Sequence, residues 1–151
     1  MDGSTARQWS EGTDRTLRVL GWYPGRAVDT DAWEELLCGR GTFPRPHPAA
    51  RRFIAEFGGL ASAGDRAEVP LTRFDFQLDP ALAEWDEEIF EVLSEWADAE
   101  LFPIGMIARR NVYLGMAQDG AVWAGMDAVD KFADSPDLTI EKLIAPYRAD
   151  S

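Results

Sequence analysis

The stretch HPAARRFIAEFGGL, residues 47–60, decides the fold of this chain, because it predicts a buried helix with a defined start and end. Pro48 suits the first position of a helix, where a missing N–H breaks no hydrogen bond. Four apolar residues then follow at the i, i+3, i+4, i+7 spacing of one buried face: Ala50, Phe53, Ile54 and Phe57. The pattern therefore predicts an amphipathic helix that packs into a core.

The glycine pair after this helix predicts its end. Gly58 and Gly59 allow a left-handed C-terminal cap, and Leu60 is then placed to fold back on Ile54 or Ala55 in a Schellman closure. A glycine-rich phosphate-binding loop is the alternative. It fits less well, because such loops precede a helix and this pair follows one.

Upstream of this stretch the sequence predicts two more helices joined by a turn. Ser10 caps the first, which ends at Gly21. The turn is GWYPGR, residues 21–26, where Pro24 fixes one backbone angle and a glycine follows it. The second helix starts after Thr30 or Asp31 as its cap and runs to Cys38.

Downstream, the sequence predicts strands around one long helix. TRFDFQL, residues 72–78, alternates apolar and polar side chains as a half-buried strand does. A helix runs from Pro80 to Asp98, and FPIG, residues 102–105, breaks it and turns the chain. Two strands then flank the turn at Asp119 and Gly120.

The pairing of that hairpin predicts what covers it. A two-residue turn places Met116 opposite Trp123 and Leu114 opposite Gly125. The small residues Gly115, Ala117 and Ala124 occupy the other face, so we expect a helix to pack closely there. A C-terminal helical region, residues 128–132 and 139–147, is the expected cover.

Length and composition indicate one domain. We expect flexible tails at residues 1–12 and 148–151 around a single domain at residues 13–147. No apolar run approaches the ~20 residues that span a bilayer, and the polar, acidic start lacks the features of a secretory signal. These features predict a cytoplasmic protein. Cys38 is the one cysteine, so the chain has no internal disulfide.

The net charge of −12 indicates which partners to expect. Nucleic acids and anionic membranes attract Lys and Arg, so the charge argues against both as partners. The acidity is concentrated between Phe74 and Ala108, which hold ten carboxylates and no Lys or Arg.

The long helix predicted at residues 80–98 carries most of these carboxylates. On a helical wheel, an apolar stripe predicted to face the core consists of Leu82, Trp85, Ile89, Val92, Leu93 and Trp96. Phe90 lies well away from this stripe, so we expect it to be exposed. An adjoining face carries Glu84, Glu87, Glu88, Glu91 and Glu95.

Two interpretations of the acidic face stay open. It is either the solvated side of a protein that is acidic throughout, or a docking surface for a basic protein partner. In the second interpretation Glu84, Glu87, Glu88, Glu91 and Glu95 form an electrostatic rim around Phe90 as an aromatic anchor. A metal site fits poorly, because no His accompanies the helical carboxylates.

The sequence offers few residues for catalysis. His47 is the only imidazole, and a helix cap before Pro48 explains it. One Cys and one His make no zinc set, and no nucleotide-binding fingerprint is present. We therefore predict no cofactor, no metal and no enzyme activity. A hydrolase that uses two carboxylates, with Asp75 and Glu100 among the candidates, is the alternative.

The order of these motifs resembles the SUKH superfamily, and within it the third group of SUKH immunity proteins. The resemblance spans about residues 17–126, and the end of the 47–60 helix is its most specific part. The motifs in chain order are GWYPGR (21–26), HPAARRFIAEFGGL (47–60), QLDP (77–80), FPIG (102–105) and the Asp-Gly hairpin (119–120).

The resemblance implies a SUKH-like fold, a single α+β domain with a mainly antiparallel sheet packed by helices. It also implies a binding role, since many members are bacterial immunity proteins that neutralise toxins, often nucleases or nucleic-acid deaminases. Our hypothesis is therefore an immunity protein that occludes a cationic toxin through the acidic helix. An intracellular adaptor of the same fold is the first alternative, and the carboxylate hydrolase is the second.

Overall fold

A computed structural model describes residues 9–39, 43–62, 72–126 and 128–145 of the chain. The strands in these ranges form one antiparallel sheet in which each strand pairs with its neighbour in sequence. Helices pack on the sheet, which confirms the predicted single α+β domain. The elements are α1 (Glu11–Leu20), α2 (Asp31–Cys38), α3 (Pro48–Phe57), β1 (Phe76–Gln77), a 3₁₀ turn (Pro80–Ala83), α4 (Glu87–Ala97), β2 (Phe102–Ile107), β3 (Val112–Met116), β4 (Val122–Gly125), β5 (Val129–Ala133) and α5 (Pro136–Ile144).

The folded region begins earlier than the predicted boundary at residue 13. Trp9 is buried, and its ring lies 5.4 Å from that of Trp22 and 5.9 Å from that of Phe57. Ser10 caps α1 as predicted, accepting a hydrogen bond from the backbone N–H of Thr13. Residues 9–12 therefore belong to the domain rather than to a flexible tail. The remaining tail residues, 1–8 and 148–151, lie outside the described part of the chain.

Helix α3 has the predicted bounds and buries the predicted face. It starts at Pro48, and all four of its periodic apolar residues are buried. His47 caps it in a defined tautomer: Nδ1 accepts from the N–H of Ala50 at 3.2 Å, and Nε2 donates to the carbonyl oxygen of Met116 at 2.9 Å. The same imidazole thus ties the start of α3 to the end of β3.

The glycine pair ends α3, but the predicted Schellman closure is wrong. Gly58 is extended, with φ −59° and ψ 139°, because the chain leaves the helix directly to pair with another segment. The N–H of Gly59 donates to the carbonyl oxygen of Leu78 at 2.8 Å. A Cβ on Gly58 would lie 2.7 Å from the ring of Trp33, so the glycine is needed for close packing.

The turn GWYPGR is bound to the C-terminal end of α3. The guanidinium of Arg26 donates to the carbonyl oxygens of Glu56, at 2.7 Å, and Gly58, at 2.9 Å. The indole N–H of Trp22 donates to the carboxylate of Glu56 at 3.1 Å. Backbone carbonyls at a helix C-terminus favour a cation, so Arg26 caps α3 from a distant part of the sequence.

Three segments downstream differ from the predictions. FPIG does not turn the chain; it forms the first four residues of β2, with a bulge between Pro103 and Gly105. Residues 128–132 are mostly strand β5, which pairs with β4, instead of helix. Ser135 caps α5 rather than breaking a helix, and residue 147 lies outside the described ranges.

The hairpin of β3 and β4 forms around residues 119–120, but its register is shifted by one residue. Met116 pairs with Val122 and not with Trp123, because the loop holds three residues, 118–120, where two were predicted. A one-residue shift moves every side chain of a strand to the opposite face. In place of the predicted pair Leu114–Gly125, the structure has the pairs Leu114–Ala124 and Tyr113–Gly125.

The predicted strand at residues 72–78 is mostly irregular. Only β1, Phe76–Gln77, pairs with β2, while Phe76 and Leu78 are buried as their spacing predicted. The N–H of Phe74 donates instead to the carbonyl oxygen of Leu143 at 3.0 Å. This segment therefore donates a backbone hydrogen bond to the C-terminal end of α5 before it pairs with the sheet.

Candidate functional site

The acidic segment contains a break that sets the orientation of α4. After the 3₁₀ turn the chain passes Trp85 and Asp86, and α4 starts only at Glu87. The hydroxyl of Tyr113 donates to the carboxylate of Asp86 and lies 3.1 Å from the carbonyl oxygen of Leu82. Burial and this carboxylate both raise the pKa of Tyr113, so the phenol keeps its proton and holds the break against β3.

Helix α4 covers the face of the sheet where small residues predicted a close helix. The cover is α4, not the predicted C-terminal region. A Cβ on Gly115 would lie 3.0 Å from the ring of Phe90, and one on Gly125 would lie 2.8 Å from Leu93. The glycines thus leave room for these two side chains of α4 and for little else.

The buried face of α4 is rotated from the predicted one. Phe90, predicted to be exposed, is only 3% exposed, whereas Trp85 and Trp96, predicted to face the core, are 72% and 69% exposed. Val92 is 50% exposed, while Leu93 is buried as predicted and Ile89 packs against the core. The prediction assumed one helix from residue 80 to residue 98, but the break at Asp86 removes Leu82 and Trp85, two members of the predicted stripe, from the helix. The predicted role of Phe90 as an exposed anchor is therefore not supported by its position.

Three of the five predicted carboxylates line one groove. Glu87, Glu91 and Glu95 stand along one side of α4, and Asp98 and Glu100 extend the same rim. Glu88 is exposed on α4 outside the groove, and Glu84 is half-buried before the helix begins. Four of the five predicted carboxylates thus lie on α4, and three of those share the groove.

The groove has a volume of about 1160 Å³ and runs between α4 and the chain after α2. Its apolar floor is made by Phe43, Phe90 and Leu101, all buried in the core. The rings of Phe43 and Phe90 meet edge to face at 5.8 Å. An apolar floor under a polar rim is the usual composition of a protein-binding surface.

The carboxylates of the rim carry negative charge that no described basic side chain neutralises. Within the described ranges, no salt bridge joins Glu87, Glu91 or Glu95 to a basic side chain. Arg45 lies on the opposite wall, but its guanidinium is 3.7 Å from Glu34. The rim is therefore a band of uncompensated negative charge.

Glu34 anchors that opposite wall. It is buried and accepts hydrogen bonds from Arg51 at 3.1 Å and from Thr30 at 2.7 Å. Burial alone raises the pKa of Glu34, but the bonds from Arg51 and Thr30 and the charges of Arg51 and Arg45 outweigh it and lower the pKa overall. The charged pair fixes α2 to α3 beside the groove.

The residues considered for chemistry are separated. Asp75 lies at the β2–β3 turn, where its carboxylate accepts from Ser62 and from the N–H of Arg109. Glu100 precedes the other end of β2, a six-residue strand whose ends are about 20 Å apart. The proposed carboxylate pair of a hydrolase is therefore wrong for these two residues. Across the described ranges, no group of three or more metal-binding side chains comes together.

Cys38 has a structural position at the edge of the groove. Its thiol donates to the carbonyl oxygen of Pro44 at 3.3 Å. Burial raises the pKa of the Cys38 thiol, which opposes formation of a nucleophilic thiolate. This position agrees with a packed side chain rather than with a reactive one.

The helices among the described residues are all too short or too polar to cross a membrane.

Comparison with known proteins identifies the family. No curated protein and no solved structure matched the chain. The family model described as SUKH-3 immunity protein matches residues 9–145, which include all the helices and strands described above. The chain therefore belongs to the SUKH-3 immunity protein family.

Proposed function

We propose that this protein is an immunity protein that binds and occludes a cationic toxin domain through the face of α4. The family implies a cognate toxin as partner. The observation that supports α4 as the contact is the groove, where Glu87, Glu91 and Glu95 stand over an apolar floor and form no salt bridge with the other described residues.

The charge of the groove suggests the class of toxin. A nuclease or nucleic-acid deaminase must attract a polyanion, so its substrate surface carries Lys and Arg. An acidic helix that covers this surface competes directly with the nucleic acid. Since the chain carries a net charge of −12, it also attracts such a toxin over a distance and speeds their encounter. In this proposal it has no affinity for nucleic acids or membranes.

The carboxylates and Phe90 have different roles in this proposal. Glu84, Glu87, Glu88, Glu91 and Glu95 supply the field and the ionic contacts. Phe90 belongs to the floor of the groove and is no exposed anchor, because its ring is packed between Phe43 and Tyr113. It positions α4 on the sheet so that the carboxylates face outward.

A charge-reversal pair tests the proposal. The partner is the protein encoded by the reading frame next to this gene, and the first assay is whether co-expression restores growth. Association is then measured by stopped-flow fluorescence for the wild type and for Glu91→Lys with Glu95→Lys. We expect growth to be restored by the wild type, and the double variant to associate at least 10-fold more slowly at low salt, with a weaker dependence on salt.

The matched control is Glu35→Lys with Asp130→Lys, which changes the net charge equally at exposed positions outside the groove. We expect the control to lose much less of the association rate. Equal rates for both double variants would remove α4 from the proposal, and absence of any binding or protection by the wild type would overturn the immunity role against this partner.

A further inference from the structure

We propose that the aromatic anchor of the complex is an exposed apolar crest, formed by Trp85 just before α4 and by Val92 and Trp96 on α4, and that it contacts an arginine-bearing surface of the toxin. This inference rests on the proposed function and names the residues that hold the partner once charge has attracted it. We call these three residues the α4 crest.

The α4 crest is unusual in its exposure. The described part of the chain has six large hydrophobic side chains with substantial exposure, and three of them lie within residues 85–96. The other three, Val19, Tyr23 and Leu138, are dispersed over α1, the following turn and α5. Single exposed apolar residues are ordinary, whereas a contiguous group marks an interaction site.

The helical spacing joins two members of the crest. Val92 and Trp96 are one turn apart on α4, and the half-buried Ile89 lies beside them one turn earlier. This row faces away from the sheet, since Phe90 and Leu93 occupy the inner side. Neither Val92 nor Trp96 lines the groove, and exposed carboxylates adjoin the row, so the helix presents an apolar row beside an acidic one.

The carboxylates next to the crest indicate the chemistry of the partner. Glu88 is one turn before Val92 on the same helix, and Glu95 precedes Trp96 directly; both are exposed. A guanidinium can stack on an indole ring while it pairs with a neighbouring carboxylate, which an ammonium group does less well. An arginine-rich surface can therefore stack on the crest and pair with its neighbouring carboxylates at the same time.

A second copy of this chain fits the crest poorly. A two-fold contact would bring the same residues of both copies together, so Glu88 and Glu95 of one would face their own counterparts. With a net charge of −12 on each copy, the ionic rows would repel. Charge complementarity therefore selects a basic partner over a homodimer.

The test distinguishes residues that slow dissociation of the complex from charges that speed its association. We measure association and dissociation of the same neighbouring-gene product with Trp96→Ala and with Val92→Ala. We expect Trp96→Ala to raise the Kd roughly 30-fold, nearly all of it in a faster dissociation rate, because buried tryptophans dominate interface energies and carry no charge to alter encounter. Trp96→Phe keeps a ring and should lose less. Because Trp96 is exposed, the urea midpoint of each variant should equal that of the wild type.

Tyr23→Ala and Val19→Ala are the matched controls, since each removes a similar side chain that is 55% exposed elsewhere on the surface. We expect wild-type kinetics from both. If Trp96→Ala dissociates as slowly as the wild type, the crest is not the anchor, although the proposed function stands as long as the wild type binds. If the wild type does not bind, the proposed function fails and the crest with it. A concentration-dependent dimer that Trp96→Ala abolishes would assign the crest to self-association and overturn the inference.

Discussion

Arg26 donates a hydrogen bond to the carbonyl oxygen of Gly58 at 2.9 Å, which joins the GWYPGR turn to the first glycine of the HPAARRFIAEFGG segment. The two motifs are separated by about twenty residues of other structure in the sequence. Their resemblance to family motifs therefore has a physical basis, because each needs the other to complete the end of α3. The nearby N–H of Val28 adds a second contact between the same two segments by donating to the carbonyl oxygen of Ala55 at 2.8 Å.

Replacing Arg26 should weaken the contact between the GWYPGR turn and the end of α3. Arg26→Met keeps much of the apolar stem but leaves two carbonyl oxygens without a donor, and hydrogen bonds from a charged group are worth about 1.5–3 kcal/mol each. Since Arg26 is half-buried, we expect a loss of about 2 kcal/mol in the free energy of unfolding, measured by urea denaturation. Arg26→Lys should recover part of it, because one ammonium group cannot span both oxygens.

Arg52→Met is the control for this prediction, since Arg52 is exposed on α3. Its free energy of unfolding should stay within about 0.5 kcal/mol of the wild type. Equal effects of the Arg26 and Arg52 substitutions would show that the bidentate contact contributes nothing measurable.

The position of α4 predicts that Gly115 cannot be enlarged. A Cβ there would lie 3.0 Å from both the Phe90 ring and the Cβ of Leu101, and Val adds two more carbons at this point. We expect Gly115→Val to lower the free energy of unfolding by about 1–3 kcal/mol, the usual result of overpacking a core. Combining it with Phe90→Leu should cost less than the two single changes added together.

A double-mutant cycle of Gly115→Val and Phe90→Leu measures the coupling between the two positions. A positive coupling between Gly115 and Phe90 would support direct contact of the glycine with the ring, as the structure has it. Strict additivity would contradict this placement of Phe90, and with it the outward position of the α4 crest.

Glu34 should make the stability depend on pH in the acid range. Its pKa in the folded protein lies below the ordinary glutamate value of 4.5, so the folded state binds fewer protons than the unfolded state near that pH. The stabilisation is present above about pH 4.5 and is lost as the pH falls through the lower, folded-state pKa. Glu34→Gln should therefore be less stable than the wild type at pH 7, and the difference should shrink as the pH falls.

Urea denaturation at several pH values between 3 and 7 measures this effect. Glu35→Gln is the matched control, because it changes the neighbouring, exposed carboxylate of the same helix. A difference between wild type and Glu34→Gln that stays constant with pH would show that the pair with Arg51 does not hold the carboxylate ionised.

The helices of the first half could be predicted because their signals are local. Ser10 and Pro48 mark helix starts by their own chemistry, and the apolar spacing after Pro48 identifies one face without knowledge of the rest of the chain. Gly21 ends α1 in the left-handed conformation expected of it, with φ 119°. None of these features depends on a distant partner.

The acidic segment could not be predicted correctly because its break depends on tertiary structure. Nothing near Asp86 in the sequence ends a helix, and the hydroxyl that meets its carboxylate comes from Tyr113 in β3. Moving the helix start to Glu87 changes which residues face the sheet, so Phe90 and the tryptophans exchange environments. Gly115 was a usable signal, since it helped to predict a close helix, but it did not identify which helix; Gly125, which also leaves room for α4, was expected on the other face because of the register error.

Register and strand type also depended on distant contacts. FPIG contains a proline and a glycine, which indicate a turn locally, yet Gly105 is required because β1 passes so close that a Cβ would lie 2.2 Å from the carbonyl oxygen of Gln77. The acidic rim was identified from charge alone, whereas its apolar floor needed Phe43, which is far away in sequence.

The two ring nitrogens of His47 form hydrogen bonds with two different elements, α3 and β3. His47→Asn retains a side chain that can accept from the N–H of Ala50 and cap α3, but it cannot also reach the carbonyl oxygen of Met116. His47→Ala loses both contacts. We expect losses in the free energy of unfolding of about 1 kcal/mol for Asn and about 2–3 kcal/mol for Ala, measured by urea denaturation. If Asn proved as damaging as Ala, the cap would be irrelevant and the bond to β3 would carry the whole effect; if both variants were as stable as the wild type, neither contact would matter for the fold.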